Sequence, residues 1–133
     1  MKGRVLVVDD DKGVTETFAR MLTLDGHEVR TAHNAEDGLR EADTTGPEAI
    51  ILDFRMPFIN GLGFVYRLRE RQQHRQTPVV IVTGDYFLDD HMTAELRNLG
   101  VAIRFKPLWL DDLVELANTM VAESRRPSSQ LVS

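Results

Sequence analysis

The sequence contains no cysteine, which excludes disulfide bonds, thiolate metal sites and cysteine nucleophiles. It also lacks a long apolar run, because its longest hydrophobic stretches have the length of strands. A membrane-spanning helix needs ~20 consecutive apolar residues. We expect no signal peptide, since the short apolar run near the start leads directly into three aspartates. These absences predict a cytoplasmic protein without a membrane segment.

Basic residues are too few for a nucleic-acid groove. Lys and Arg number 16 against 21 Asp and Glu, so the net charge is −5 with histidine neutral. Binding to a phosphate backbone requires a basic face that displaces counterions. We therefore expect no direct binding of nucleic acid by this domain. With 42% hydrophobic and 28% charged residues, the composition is that of one globular domain and excludes a disordered or fibrous chain.

Short runs with strand composition alternate with stretches of helical periodicity. Asp11 and Asn34 precede the first two helical stretches, and we expect them to cap those helices. Strict alternation predicts an α/β fold with a five-stranded parallel sheet, right-handed crossovers and helices on both faces. The five predicted strands are residues 5–8, 28–32, 49–52, 79–82 and 101–105.

Polar and charged residues stand at the carboxyl ends of four of these strands. Asp9 and Asp10 follow the first strand, Asp53 the third, Thr83 the fourth and Lys106 the fifth. Ligands of open α/β sheets bind at that edge. If the first and third strands are neighbours, three carboxylates converge, and two charges about 5 Å apart repel by roughly 3 kcal/mol at an effective dielectric constant of about 20. Lys106 supplies one compensating charge, and Mg²⁺ suits the remainder.

A site of this kind suits a phosphoryl group. A divalent ion, an ammonium and a hydroxyl can each neutralise or hydrogen-bond the phosphoryl oxygens. Asp53 ends its strand and precedes a long loop, so its carboxylate can be exposed enough to act as a nucleophile. Attack of a carboxylate on phosphorus gives an acyl phosphate. The pattern therefore predicts phosphoryl transfer onto Asp53.

Four segments together carry a resemblance to a known family, and their order and separations are highly specific. The sequence resembles the receiver domains of two-component response regulators. We expect residues 1–122 to form the receiver domain and residues 123–133 a polar tail or the start of a linker. The four segments are Val-Leu-Val-Val-Asp-Asp at 5–10, Ile-Ile-Leu-Asp-Phe-Arg-Met-Pro at 50–57 with Asn60-Gly61 behind it, Val-Ile-Val-Thr-Gly at 80–84 and Phe-Lys-Pro at 105–107.

The resemblance implies a flavodoxin-like (βα)5 fold with strand order 2-1-3-4-5. It also implies that Asp53 accepts phosphate from the phosphohistidine of a sensor histidine kinase or of a phosphotransfer protein. Asp10, Asp53 and the backbone carbonyl of Arg55 would ligate Mg²⁺ directly. Asp9 would act on the ion mainly through water.

The same resemblance implies a regulatory switch, with self-catalysed phosphotransfer and dephosphorylation only, and not a turnover enzyme. Lys106, whose bond to Pro107 we expect to be cis, would pair with one phosphoryl oxygen. Thr83 would bind another and move inward. That movement would change the face made by the fourth helix, fifth strand and fifth helix, through which a homodimer can also form. Family members often carry Tyr or Phe three residues before the lysine, but this chain has Ile103.

Two residues of opposite charge occupy positions that flank the path of attacking water in this family. They are Arg55, two residues beyond Asp53, and Asp85, two residues beyond Thr83. We hypothesise that they pair across the mouth of the site and change the lifetime of the phosphoryl group.

Two other functions fit parts of the pattern. A phosphatase of the haloacid-dehalogenase type uses a strand-ending Asp-x-Asp, which residues 9–11 supply superficially, and its nucleophile would be Asp9. That enzyme needs its lysine before the second acidic motif, whereas Lys106 follows it, and Asp53 stays unexplained. An inert pseudo-receiver that only binds partners is the third hypothesis. The histidines show no ligand spacing and are predicted to be surface residues: His27, His33, His74 and His91.

Overall fold

The computed structural model describes residues 2–84 and 88–126. In these residues, five strands alternate with five α-helices, and one 3₁₀ helix precedes the fourth strand. The predicted strands agree with the observed ones to within one residue at each end. The elements are β1 (Arg4–Val8), α1 (Lys12–Leu24), β2 (Glu28–Ala32), α2 (Ala35–Thr45), β3 (Ala49–Leu52), α3 (Gly61–Arg69), the 3₁₀ helix (Gln72–His74), β4 (Val79–Thr83), α4 (Asp90–Asn98), β5 (Val101–Phe105) and α5 (Leu110–Ser124).

The strands form one sheet in the order β2-β1-β3-β4-β5, and every neighbouring pair is parallel. This confirms the predicted α/β class and the order that the resemblance implied. In the register of the sheet, Val8 lies between Ala32 and Leu52, and Thr83 lies opposite Phe105. The strands therefore end together, and the residues that follow them gather at one edge.

Helices cover both faces of the sheet. Successive side chains of a strand point to opposite faces, so Leu6 and Val8 pack under α2, α3 and α4, while Val5 and Val7 pack under α1 and α5. The inner strands β3 and β4 are buried along their whole length, as expected for a parallel sheet with both faces covered. Burial of each large aliphatic side chain contributes about 1.5–3 kcal/mol. These two apolar layers fix the positions of the strand ends.

Short polar side chains cap four of the five α-helices, and Asp89 is the cap of α4. The Asp11 carboxylate accepts hydrogen bonds from two amides in the first turn of α1, and Asn34 accepts one from the amide of Asp37 in α2. Both predicted caps are therefore confirmed. Asn60 caps α3, and a Cβ atom at Gly61 would lie 3.0 Å from the Cα atom of Phe54. A glycine is thus needed where α3 passes close to the residue after Asp53.

Two of the four histidines contradict the prediction that they lie on the surface. His27 and His74 are 3% and 2% exposed. The imidazole of His74 contacts the hydroxyl of Thr77 at 2.8 Å and the carbonyl of Ala42 at 3.0 Å. His27 Nδ1 accepts a hydrogen bond from the amide of Gly3. Gly3 and Ala42 lie far from these histidines in the sequence, so local spacing could not reveal those contacts.

The end of α5 is tied to the amino end of the sheet. α5 continues to Ser124, inside the segment predicted to be a tail. The guanidinium of Arg125 then bonds both carboxylate oxygens of Glu48, at 2.6 and 3.0 Å, and the carbonyl of Lys2 at 2.7 Å. Residues 127–133 of the predicted tail lie outside the described residues. Among the described helices, none combines the length and apolar character that crossing a membrane requires.

Candidate functional site

The sheet brings three carboxylates together at its carboxyl edge. The amide of Asp9 bonds the carbonyl of Ala32, and the amide of Asp53 bonds that of Val8. The pairing of β1 with β2 and β3 thus extends by one residue into the site. One carboxylate oxygen from each of Asp9, Asp10 and Asp53 lies within 4.8 Å of the others. The convergence predicted from adjacent strands is therefore present.

Lys106 reaches this cluster from the end of β5. Its Nζ atom lies 3.3 Å from Oδ2 of Asp9 and 3.5 Å from Oδ1 of Asp53. The amide of Lys106 donates to the carbonyl of Thr83 at 2.8 Å, which links the ends of β4 and β5. The Lys106–Pro107 peptide bond is cis, as expected. When all three carboxylates are ionised, the single ammonium of Lys106 does not neutralise them. The remaining negative charge lies on oxygen atoms, so the cluster could hold a hard divalent cation.

An open cleft of about 450 Å³ lies over the cluster, and its lining includes Asp53, Arg55, Thr83 and Lys106. Among the three acidic residues, only Asp53 lines the part of the cleft formed by described residues. A larger cavity of about 630 Å³ lies near Arg4, at the amino edge of the sheet. That cavity lacks a convergent acidic cluster in its described lining, so chemistry and not size identifies the candidate site.

Asp9 lies beneath the cleft and is 4% exposed. Its Oδ1 atom accepts a hydrogen bond from the amide of Asp11, and its Oδ2 atom accepts one from Lys106. The ring of His33 lies behind it, with Nδ1 3.2 Å from the carbonyl oxygen of Asp9. The sequence did not predict that Asp9 is buried while Asp10 and Asp11 are exposed, because three consecutive aspartates carry no signal of which one is covered.

The carboxyl group of Asp53 has an unusual affinity for protons. The pKa of Asp53 is raised from the ordinary 3.8 to about 6. Burial is the largest cause and the charge of Asp9 adds to it, while the ammonium of Lys106 acts in the opposite direction. Burial acts to lower the pKa of Lys106, but the charges of Asp53 and Asp9 outweigh it and raise that pKa. These shifts describe the site without a cation. A bound divalent ion would favour the ionised form of Asp53.

The remaining predicted residues surround the cleft. Thr83 is fully buried, and Arg55 is exposed with its guanidinium carbon 5.9 Å from the centre of the Phe54 ring. Ile103 is partly buried and packs with the apolar side chains under α2, α3 and α4. Asp85, the predicted partner of Arg55, lies outside the described residues.

Comparisons with known proteins agree on one family. Residues 5–118 match the family model of the response regulator receiver domain. The transcriptional regulatory protein PrrA of Mycobacterium leprae is 40% identical over 111 residues, which are 84% of this chain and 46% of that protein. The DNA-binding transcriptional regulator NtrC of Proteus hauseri is 30% identical over 131 residues, 96% of this chain and 27% of that protein. The chain thus spans less than half the length of these two relatives.

Solved structures show the same fold. The chemotaxis protein CheY4 of Vibrio cholerae superposes with a TM-score of 0.81 at 26% sequence identity, covering 90% of this chain and 99% of that one. A CheY-like receiver domain protein of Methanospirillum hungatei gives a TM-score of 0.83 at 23% identity, covering 93% and 97%.

We predict that removing the charge of Asp53 stabilises the metal-free protein near neutral pH. Because the folded-state pKa of Asp53 is raised from 3.8 to about 6, the stability that its protonated form provides is complete below pH 3.8. That stability is lost as the pH rises through 6. Asp53→Asn should therefore raise the free energy of unfolding by about 1–3 kcal/mol at pH 7.5, and by much less at pH 4.

Urea unfolding in EDTA at the two pH values measures this difference. Glu16→Gln, which removes a charge from an exposed position of α1, is the control and should show no comparable dependence on pH. A stabilisation by Asp53→Asn that is equal at both pH values, or greater at pH 4, contradicts the prediction.

Proposed function

We propose, because the chain belongs to the family of response regulator receiver domains, that it is a signalling switch controlled by phosphorylation of Asp53. Receiver domains interact with histidine kinases and phosphotransfer proteins, and a partner of this kind would supply the phosphoryl group. The observation that carries the proposal is the position of Asp53. Among the three clustered acidic residues, it alone lines the described part of the cleft, and Lys106 lies 3.5 Å from its carboxylate.

We propose Mg²⁺ as the ion of the acidic cluster. The donor atoms are all oxygens, and carboxylate oxygens of Asp9, Asp10 and Asp53 lie within 4.8 Å of one another, which suits a hard cation that keeps several waters. Asp10, Asp53 and the backbone carbonyl of Arg55 would hold the ion directly, and Asp9 through water. The bound ion would supply positive charge to the phosphoryl oxygens.

The phosphoryl transfer uses the side chains at the cleft. A carboxylate oxygen of Asp53 attacks phosphorus, the bond between phosphorus and the donor's imidazole nitrogen breaks, and the imidazole leaves with the electron pair. The ammonium of Lys106 pairs with one phosphoryl oxygen, and the hydroxyl of Thr83 donates a hydrogen bond to another. The product is an acyl phosphate on Asp53.

The signal would leave the site through β4 and β5. The amide of Lys106 already bonds the carbonyl of Thr83, so a movement of either residue displaces both strand ends. α4 and α5 follow these strands, and we propose that the face formed by α4, β5 and α5 changes its arrangement and can bind a second copy. A reversal from 1:99 to 99:1 would require about 5.5 kcal/mol of differential stabilisation. Because Ile103 stands at the aromatic position of the family, we propose that this change proceeds without a rotating ring at that position.

The phosphatase alternative finds less support. Its nucleophile, Asp9, is 4% exposed and already accepts hydrogen bonds from the amide of Asp11 and from Lys106. Attack by Asp9 would require these contacts to break. The five strand-end residues, Asp9, Asp10, Asp53, Thr83 and Lys106, are all present, which also disfavours an inert pseudo-receiver. We further propose that this domain regulates without touching nucleic acid itself.

Labelling with acetyl phosphate and Mg²⁺ tests the proposed function. We expect one acid-stable, base-labile phosphoryl group, which peptide mapping by mass spectrometry places on Asp53. Asp53→Asn should abolish the label. Beryllofluoride with Mg²⁺ should change the fluorescence of Trp109, which is 71% exposed and lies three residues beyond Lys106. A label on Asp9, or a fluorescence response that survives in Asp53→Asn, contradicts the proposal.

We propose that Arg55, which lines the cleft, prolongs the life of the phosphoryl group by obstructing the approach of water. Arg55→Ala should increase the rate of dephosphorylation severalfold. Arg55→Met, which retains bulk without charge, should increase it less. Loss of radioactive phosphate from the labelled protein measures both rates, and the rate of Asp85→Ala is measured in the same way. Unchanged rates in Arg55→Ala and Asp85→Ala would remove the hypothesis.

A further inference from the structure

Large exposed hydrophobic side chains are concentrated at the edge that carries the site. Leu24 and Tyr66 lie elsewhere, at the end of α1 and in the middle of α3. Phe58, Phe105 and Trp109 lie in or beside the loops that follow β3 and β5. Phe58 is the most exposed of them, at 105% of the reference area. An apolar ring left this open to water is typical of a binding surface.

The backbone of Phe58 makes its exposure more informative. Its φ angle is +67°, in the left-handed region that is unfavourable for residues with a bulky side chain. Glycine or asparagine would satisfy this loop at lower cost. Neither the backbone conformation of the loop nor burial of the ring therefore explains why a phenylalanine occupies this position. Strain held together with an exposed apolar ring indicates a function for the ring.

A shallow cavity of about 380 Å³ adjoins the ring, between the start of α2 and the loop after β3. Ala35, Pro57 and Ile59 contribute apolar surface to it, and Glu36 stands on its rim. The surface beside the ring can thus accept an apolar side chain of a partner. Glu36 and Arg40 both line the cavity and lie 3.8 Å apart, so their charges compensate each other beside the apolar surface.

The position of the ring indicates which partner this is. Asp53 is 8% exposed, so a donor must deliver its phosphorus through the cleft at this same edge. A protein donor that reaches Asp53 necessarily lies against the loop after β3, and Phe58 stands in that loop, five residues beyond Asp53. A small donor such as acetyl phosphate enters the cleft without this contact.

We propose that Phe58 is a docking anchor for the phosphodonor protein, packing against an apolar patch beside its phosphohistidine. This inference rests on the proposed function, since it assumes transfer onto Asp53. Truncation of a central aromatic residue in an interface commonly weakens binding by about tenfold or more. The ring should therefore affect transfer from a protein donor and not from a small molecule.

The test compares Phe58→Asn with the wild-type chain. The protein donor is a purified, autophosphorylated sensor histidine kinase, chosen in advance as one that transfers to the wild type. We expect Phe58→Asn to raise the KM of this transfer by about tenfold, with labelling by acetyl phosphate unchanged. Its urea midpoint should be equal or higher, because asparagine accepts a left-handed backbone. Leu24→Asn, which removes a similarly exposed side chain far from the site, should leave the transfer unchanged.

Each other outcome overturns the inference. If Phe58→Asn accepts phosphate from the kinase at the wild-type KM, the ring is not a docking anchor. If Phe58→Asn reduces labelling by acetyl phosphate as much as it reduces transfer from the kinase, the ring acts on the site itself and not on docking of the protein donor. If the wild type sediments as a dimer that Phe58→Asn abolishes, with transfer unchanged, the ring binds a second copy. Absence of any label on wild-type Asp53 would instead refute the proposed function.

Discussion

The repulsion among three carboxylates is the constraint on which the site depends. Asp9, Asp10 and Asp53 place oxygens within 4.8 Å of one another. Repulsion between the two buried members, Asp9 and Asp53, opposes folding by roughly 3 kcal/mol at an effective dielectric constant of about 20, and solvent screens the exposed Asp10 more strongly. The backbone pairing of β1 with β2 and β3 holds them there, because it continues through the amides of Asp9 and Asp53. The apolar layers on both faces of the sheet therefore maintain an electrostatic arrangement that the side chains alone would not adopt.

Asp9 and Asp53 are both buried, at 4% and 8% exposure, but their surroundings differ. Asp9 is covered and bonded to the amide of Asp11 and to Lys106, whereas Asp53 faces the cleft. Burial and the charge of Asp9 raise the pKa of Asp53 to about 6, so this carboxylate is ionised but unfavourably placed near neutral pH. A bound cation, or a phosphoryl group together with its cation, would reduce the repulsion that the ionised Asp53 experiences. The same excess of charge thus supports both the proposed metal ion and the proposed response to phosphorylation.

Much of the fold could be predicted from the sequence, because buried strands and amphipathic helices leave strong periodic signals. The caps at Asp11 and Asn34 followed from residue type and position. Strand order did not follow from periodicity and came from the family resemblance. The exposure of His27 and His74 was predicted wrongly, since Gly3 and Ala42, which bond to their rings, come from distant segments. The strand-end residues were placed at one edge correctly, but tertiary packing decided which aspartate is covered. The left-handed backbone at Phe58 leaves no trace in the sequence.

The central claim is that folding creates a cluster of oxygens with too much negative charge to remain without a cation. Calorimetric titration of the unphosphorylated protein with Mg²⁺ tests this most directly, with Asp10→Asn and the exposed control Glu16→Gln beside the wild type. The account predicts saturable binding of one ion to the wild type and to Glu16→Gln, and a large loss of affinity in Asp10→Asn. Absence of binding to the wild type, or equal affinity in all three proteins, would contradict it.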